Sequence, residues 1–154
     1  MSQNSTKPDK PGQVADAITG NWVDNFAPIK LRPYLRLSRA DRPIGTWLLL
    51  IPCWWGLLIG ILEDENVLAS DFWLLFSCSI GAFLMRGAGC TWNDILDRKI
   101  DGAVERTRSR PIPSGQVNLT QAIVWMIVQI GLAGIILLSY NLTSIILGLS
   151  SLFL

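Results

Sequence analysis

The amino-acid sequence predicts an all-α, polytopic transmembrane helix bundle, and three observations carry that prediction. Apolar stretches with at most one charge recur at 44–62, 72–92 and 122–140. Each approaches the roughly 20 residues that an α-helix needs to cross a hydrocarbon core of about 30 Å. Half of the residues are apolar and the mean hydropathy is +0.37, which with such runs points to a membrane. The net charge of +1 says little, but the placement of charge says more: of 13 Lys and Arg, all except Arg86 lie before Pro43 or between Arg98 and Arg110. No nucleic acid partner is expected.

Residues 1–20 are polar, carry Pro8 and Pro11, and lack the apolar core of a signal peptide, so a disordered tail is expected. Residues 21–43 interleave Trp22, Phe26, Tyr34, Leu35 and Leu37 with Lys30, Arg32, Arg36, Arg39 and Arg42. The helical spacing of Arg32, Arg36 and Arg39 predicts a basic interfacial segment lying on anionic membrane lipid. In the first span, 44–62, Pro52 removes a backbone donor and predicts a kink beside Trp47, Trp54 and Trp55. That geometry serves either ligand space or simple helix packing. The acidic loop that follows has no Lys or Arg, so the positive-inside rule turns it outward and puts the N-terminus on the cytoplasmic side of a bacterial inner membrane. The second span, 72–92, is about 32 Å long at 1.5 Å per residue and brings the chain back to the cytoplasmic face. Arg86 lies about two turns below its end, where a charge costs a few kcal/mol unless it faces protein or water. It therefore points into the bundle or snorkels to the headgroups.

Asn93, Asp94, Asp97 and Asp101 follow. At about 100° per residue they share one arc of a helix, so a single face carries three carboxylates and an amide. Like charges at i,i+3 and i,i+4 repel by a few tenths of a kcal/mol each, which a sequence selected only for stability avoids. Residues 101–117 hold Arg106, Arg108 and Arg110 at alternate positions, then Pro111, Pro113 and a Ser114-Gly115 turn, an ordered basic loop rather than a linker. Asn118 with Gln121 caps the third span, 122–140, whose strongly polar interior residue is Gln129. The fourth apolar segment, 142–154, is shorter than a full span, so the chain reads as truncated. Cys53, Cys78 and Cys90 sit in apolar segments without paired spacing, and with no His in the chain they make no zinc site. Packing is their expected role.

Acids alone repel a phosphate, and arginines alone have no need of three acids beside them. A magnesium ion reconciles the two: it takes hard oxygen ligands, keeps several waters and bridges carboxylates to substrate phosphates. Arginine matches the remaining phosphate oxygens. The expected ligand is a lipid phosphate or diphosphate with its headgroup at this end and its tail among the spans. The plainer alternative is a solvated turn in which Asp94, Asp97 and Asp101 pair with Arg98, Lys99 and Arg106. Arg86 on the same face favours the ligand site.

The run Asn93-Asp94-x-x-Asp97-x-x-x-Asp101 resembles the first aspartate-rich motif of the UbiA-type intramembrane prenyltransferases. Arg106-Thr107 with Arg110-Pro111-Ile112-Pro113-Ser114-Gly115 is similar to the loop after that motif, and the stretch from Arg42-Pro43-Ile44-Gly45 to Trp55 resembles the first helix of the branch that prenylates 4-hydroxybenzoate for ubiquinone biosynthesis. The resemblance implies a helical bundle of about nine spans, of which 44–154 is the N-terminal part, three full spans and a truncated fourth. It implies a Mg2+-dependent aromatic prenyltransferase that moves a polyprenyl group from polyprenyl diphosphate to the ring carbon ortho to the hydroxyl of 4-hydroxybenzoate. Asp94 and Asp97 are the implied catalytic residues and, with Asp101, the metal residues; Asn93 sits beside the metal. Arg106 and Arg110 would hold diphosphate, Arg39 or Arg42 the carboxylate of 4-hydroxybenzoate, and Arg86 belongs with the substrate-binding residues. A second aspartate motif of the family lies in a later loop, so the chain is expected to be an N-terminal fragment, inactive without the missing C-terminal half.

Other classes fit parts of the pattern. CDP-alcohol phosphatidyltransferases carry Asp-x-x-Asp-Gly-x-x-Ala-Arg at a membrane helix end, which Asp97, Asp101, Gly102 and Arg106 approach, but the first gap is one residue too long and Glu105 replaces Ala. Relatives acting on haem, homogentisate or naphthoate differ in the acceptor. A non-catalytic membrane protein would use the charges for topology alone. Asp94→Ala and Asp97→Ala separate that last reading from the others: an enzyme loses magnesium-dependent diphosphate binding, and a topology device keeps whatever it had.

Overall fold

The computed structural model describes residues 20–64 and 66–151, so the tail expected at 1–20 lies outside the described residues except for Gly20. Among them all regular structure is helical: α1 (Trp22–Asn25), α2 (Arg32–Leu37), α3 (Ile44–Asp64), α4 (Ala69–Leu96), α5 (Arg98–Ala103), α6 (Leu119–Leu138) and α7 (Leu142–Ser150). Of these, α3, α4 and α6 are long and apolar enough to cross a membrane, as the three predicted spans require.

Local signals set their ends. α4 starts where the Leu68 amide donates to the Asp71 carboxylate at 2.8 Å. α6 starts at a reciprocal box in which the Gln121 amide donates to Asn118 Oδ1 at 2.8 Å and the Asn118 amide to Gln121 Oε1 at 3.0 Å. α3 runs on through Pro52, and Trp47 meets Trp54 edge to face with ring centroids 6.1 Å apart.

α4 is the central element, packing along α6 and α3 and taking α2 and α5 near its end. Apart from Ile95 at the end of α4, the buried positions of α4 and α6 are small or polar, among them Ser77, Ala82, Gly87, Ala88 and Thr91 on α4 and Ala122, Gln129 and Ala133 on α6. Phe72, Phe76, Phe83, Ile127 and Ile135 face outward and are exposed. This inverts the arrangement of a protein in water. It suits lipid, where close backbone approach and a few hydrogen bonds, rather than apolar burial, hold helices together. Ser77 Oγ and Tyr140 Oη, 2.7 Å apart, make one such bond between α4 and the turn after α6.

Within residues 21–43 the arginines at helical spacing turn to partners in the protein. The segment folds into α1 and α2, packed together over Val23, Ala27 and Ala40. Arg36 is buried and ion-paired with Asp24, Arg32 Nε donates to the Ala27 carbonyl at 3.0 Å, and Arg39 reaches Asp94 on α4. Each arginine on the predicted stripe has an acceptor within the protein, because the bends at Pro28 and after Leu37 turn the segment back on itself. The three cysteines are free, with Cys90 buried.

Gly87 marks the tightest seam. A Cβ added there would lie 2.3 Å from Gln129 Nε2 and 3.0 Å from Ser38 Cβ. Gly87→Ala is expected to lose about 1–3 kcal/mol by overpacking, in spite of the better helix propensity of Ala. Gly81→Ala, whose Cβ meets nothing within 4 Å, is the control and should be neutral or stabilising in thermal unfolding in detergent.

Candidate functional site

The site is built where α4 ends. Asp94 is 2% exposed, and its Oδ1 lies 2.9 Å from Arg39 Nη2 and 3.5 Å from Arg110 Nη1. The same Arg110 nitrogen lies 2.8 Å from Asp101 Oδ2. Two carboxylates and two guanidinium groups thus form one cluster drawn from the turn after α2, from α4 and α5, and from the turn before α6.

Each member is presented by local structure. Arg39 follows α2 in a Schellman ending: the Ala40 amide donates to the Leu35 carbonyl at 2.9 Å and the Arg39 amide to the Arg36 carbonyl at 3.0 Å. The left-handed position of that motif usually holds Gly, yet here it holds Arg39 at φ 55°, a conformation costing an L-residue about 1–2 kcal/mol. The Arg110 turn is stapled from within. Thr107 Oγ1 donates to the Asp101 carbonyl at 3.0 Å, Arg108 Nε to the Gly102 carbonyl at 3.2 Å, and Ser114 Oγ to the Arg110 carbonyl at 2.6 Å. Gly115, at φ 76°, closes the predicted Ser-Gly turn. Arg110 is thereby turned inward, while Arg106 and Arg108 are exposed.

The expected single face of acids divides in two. α4 stops at Leu96, Asp97 adopts ψ 1° as its cap, and α5 resumes at Arg98. Asp94 and Asp101, seven residues apart and so nearly in register on a helix, turn inward. Asn93 and Asp97 lie on the other edge of the arc and are exposed. Among the described residues no three acids, histidines or cysteines converge on one point. What the structure offers a divalent ion is therefore the Asp94 and Asp101 pair, both carboxylates already within 3.5 Å of one cationic nitrogen. Such a pair suits a hard divalent ion, which takes carboxylate oxygens and keeps several waters.

The other predicted arginines sit apart. Arg42 Nε lies 3.5 Å from the buried Asp41 carboxylate. Arg86 is half-buried on α4 against Gly45, where an added Cβ would be 2.2 Å from Arg86 Nε. Its Nε is buried without a hydrogen bond, and the guanidinium has no ion pair among the described residues. Sequence reasoning missed Asp41 and the pairing of Arg39 with Asp94. It also missed a polar knot in which Trp125 Nε1 and Gln129 Nε2 donate to Ser38 Oγ at 2.8 and 3.0 Å.

These features define an integral membrane protein whose spans close at a buried cluster of acids and arginines. The chain belongs to the UbiA prenyltransferase family, whose model matches residues 49–154. It is 48% identical over 138 residues to the mitochondrial 4-hydroxybenzoate polyprenyltransferase of Rattus norvegicus, and 49% identical over 138 residues to that of Bos taurus. Both alignments take in 90% of this chain and 36% of the relative. The protein of the same name from Arabidopsis thaliana is 47% identical over 135 residues, 87% of this chain and 32% of that protein. The chain thus spans about a third of the length of the curated relatives it matches. No solved structure matches it. Enzymes of the family generally depend on a divalent metal.

The left-handed backbone at Arg39 yields a direct test. Arg39→Gly and Arg39→Ala both remove the partner of Asp94, but Gly also relieves the backbone. Arg39→Gly is expected to unfold at a higher temperature than Arg39→Ala, by an amount equivalent to about 1 kcal/mol. Circular dichroism of the purified protein in detergent reads the difference.

Proposed function

We propose that the whole protein transfers a polyprenyl group from polyprenyl diphosphate to the ring carbon ortho to the hydroxyl of 4-hydroxybenzoate. The observation that carries this reading is the buried cluster of Asp94, Asp101, Arg39 and Arg110 at the end of three membrane-length helices. The names of the relatives supply the substrates. The segregation of Lys and Arg supports a topology with this end on the cytoplasmic side of the membrane.

Asp94 and Asp101 would hold magnesium, with Asp97 available from the surface. The ion supplies charge neutralisation of the diphosphate. Arg110 and Arg39 exchange carboxylate oxygens for diphosphate oxygens as the substrate enters, and Arg106 reaches it from the exposed side of the turn. The allylic carbon–oxygen bond breaks with its electron pair leaving on the diphosphate, whose charge the arginines stabilise. The ring carbon of the acceptor then bonds to the allylic cation and releases its proton. A Trp face turned to the cation would favour it by about 0.5–2 kcal/mol.

The acceptor carboxylate goes to Arg86 rather than to Arg39 or Arg42. Arg39 and Arg42 already face Asp94 and Asp41, whereas Arg86 carries an unmatched charge in a span. Losing a charge-assisted hydrogen bond costs about 1.5–3 kcal/mol. Arg86→Met is therefore expected to raise the KM for 4-hydroxybenzoate by about tenfold to a hundredfold while moving the KM for polyprenyl diphosphate little. Arg86→Lys should recover part of the loss. Membranes holding the whole protein, assayed with labelled 4-hydroxybenzoate, give both constants. Activity should vanish with EDTA and return with added magnesium. Equal shifts in both KM values would sink the Arg86 assignment, and turnover of a CDP-lipid with an alcohol in place of these substrates would sink the reaction.

A further inference from the structure

We propose that Ser38, Trp125 and Gln129 form a positioning device for Arg39, which makes Ser38 and Gln129 positioning residues of the acid and arginine site. They act through the backbone and not by touching substrate. The kinetic part of the proposal rests on the reaction proposed above.

Arg39 holds a left-handed backbone that a residue with a side chain keeps only where its surroundings over-determine it. Both of its neighbours are held by other helices. Ser38, the cap of α2, is 4% exposed and accepts from Trp125 Nε1 and Gln129 Nε2 on α6, 87 and 91 residues away. On the other side, the Ala40 carbonyl accepts from Trp22 Nε1 of α1 at 2.9 Å. With positions 38 and 40 fixed, the chain between them has little choice of φ, and the Arg39 side chain is aimed at Asp94.

Two further facts show that the knot is more than packing. Gln129 is 3% exposed and its Oε1 is buried without a hydrogen bond, a cost that an apolar residue at the same place on α6 would avoid. What Gln129 gains in return is the bond to Ser38. The approach of α4 also depends on Gly87, because a Cβ there would run into Gln129 Nε2 and Ser38. Three helices therefore meet on one hydroxyl group, one residue from the arginine that binds Asp94.

The test uses Ser38→Ala, Gln129→Met and Arg39→Gly, alone and combined, in the whole protein. Thermal unfolding in detergent is read first, since it needs no turnover. Glycine takes the left-handed region freely, so Ser38→Ala is expected to lower the midpoint clearly beside Arg39 and by less than about half as much beside Gly at that position. Equal losses in the two backgrounds overturn the proposal and leave a plain structural hydrogen bond. Kinetics are read second. Ser38→Ala and Gln129→Met should raise the KM for polyprenyl diphosphate about fivefold or more with kcat within about twofold. Gln129→Glu, neutral when buried and able to donate to Ser38, should restore the KM; a KM unmoved by either substitution overturns the proposal. If the unsubstituted protein turns over none of these substrates, the proposed reaction fails, and the unfolding cycle still decides the positioning. Should Gln129→Met fail to fold, Ser38→Ala, which removes a single oxygen, decides both measurements.

Discussion

A carboxylate buried at the end of a membrane helix constrains the rest of this structure. Withdrawing the charge of Asp94 from water costs several kcal/mol unless a cation answers it in good geometry. Two arginines do so, one 55 residues earlier in the chain and one in the turn before α6, and the second also binds Asp101. The end of α2, the end of α4, α5 and the Arg110 turn must therefore meet at one level. Leu37, Ile95, Val117 and Ala122 pack into an apolar cluster at the same level. The ion pairs select which segments meet, and the cluster adds the apolar burial that keeps them together.

Further along the spans the rules change. Large apolar side chains face outward, and what joins α3, α4 and α6 is close approach with a few hydrogen bonds, such as Trp54 Nε1 to the Leu75 carbonyl at 3.4 Å. Two glycines stand where a polar group crosses a seam: Gly45 against Arg86 and Gly87 against Gln129. In each case the missing side chain makes room for a group that lipid would reject. α4 thus serves two solvents along one helix, and the site lies at the boundary between them.

How much of this was legible follows from how local each signal is. The spans, the box of Asn118 and Gln121 and the Ser114-Gly115 turn were readable because composition or a few adjacent residues decide them. The acid run was readable as an arc but not as two edges, since which side of an arc is buried depends on what packs there. Arg32, Arg36 and Arg39 show the limit. Their spacing matches an amphipathic helix, and only tertiary contact with Asp24, the Ala27 carbonyl and Asp94 shows where each goes. The pairing of Arg39 with Asp94 left one indirect trace, an arginine where a helix ending usually takes Gly, and that trace has meaning only once the backbone is known.

Charge matching sets Arg86 apart from the inward-facing arginines that hold acids. Arg36, Arg39, Arg42 and Arg110 each face an acid, so they bring no excess charge to the neighbourhood. Those that face Asp94 and Asp101 can trade a carboxylate oxygen for a phosphate oxygen at little electrostatic cost, which suits the double part proposed for them, holding the fold together and receiving a diphosphate. Arg86 lies within a span and faces no acid among the described residues. Its place is fixed by contact with Gly45, and in a span an ion without a counter-charge costs a few kcal/mol. Such a position is most stable when an anion fills it. In the function proposed above, a small aromatic carboxylate set against the guanidinium would remove that cost and be held for reaction at the same time. On that reading, the unfavourable term in the protein alone becomes binding energy for the proposed acceptor.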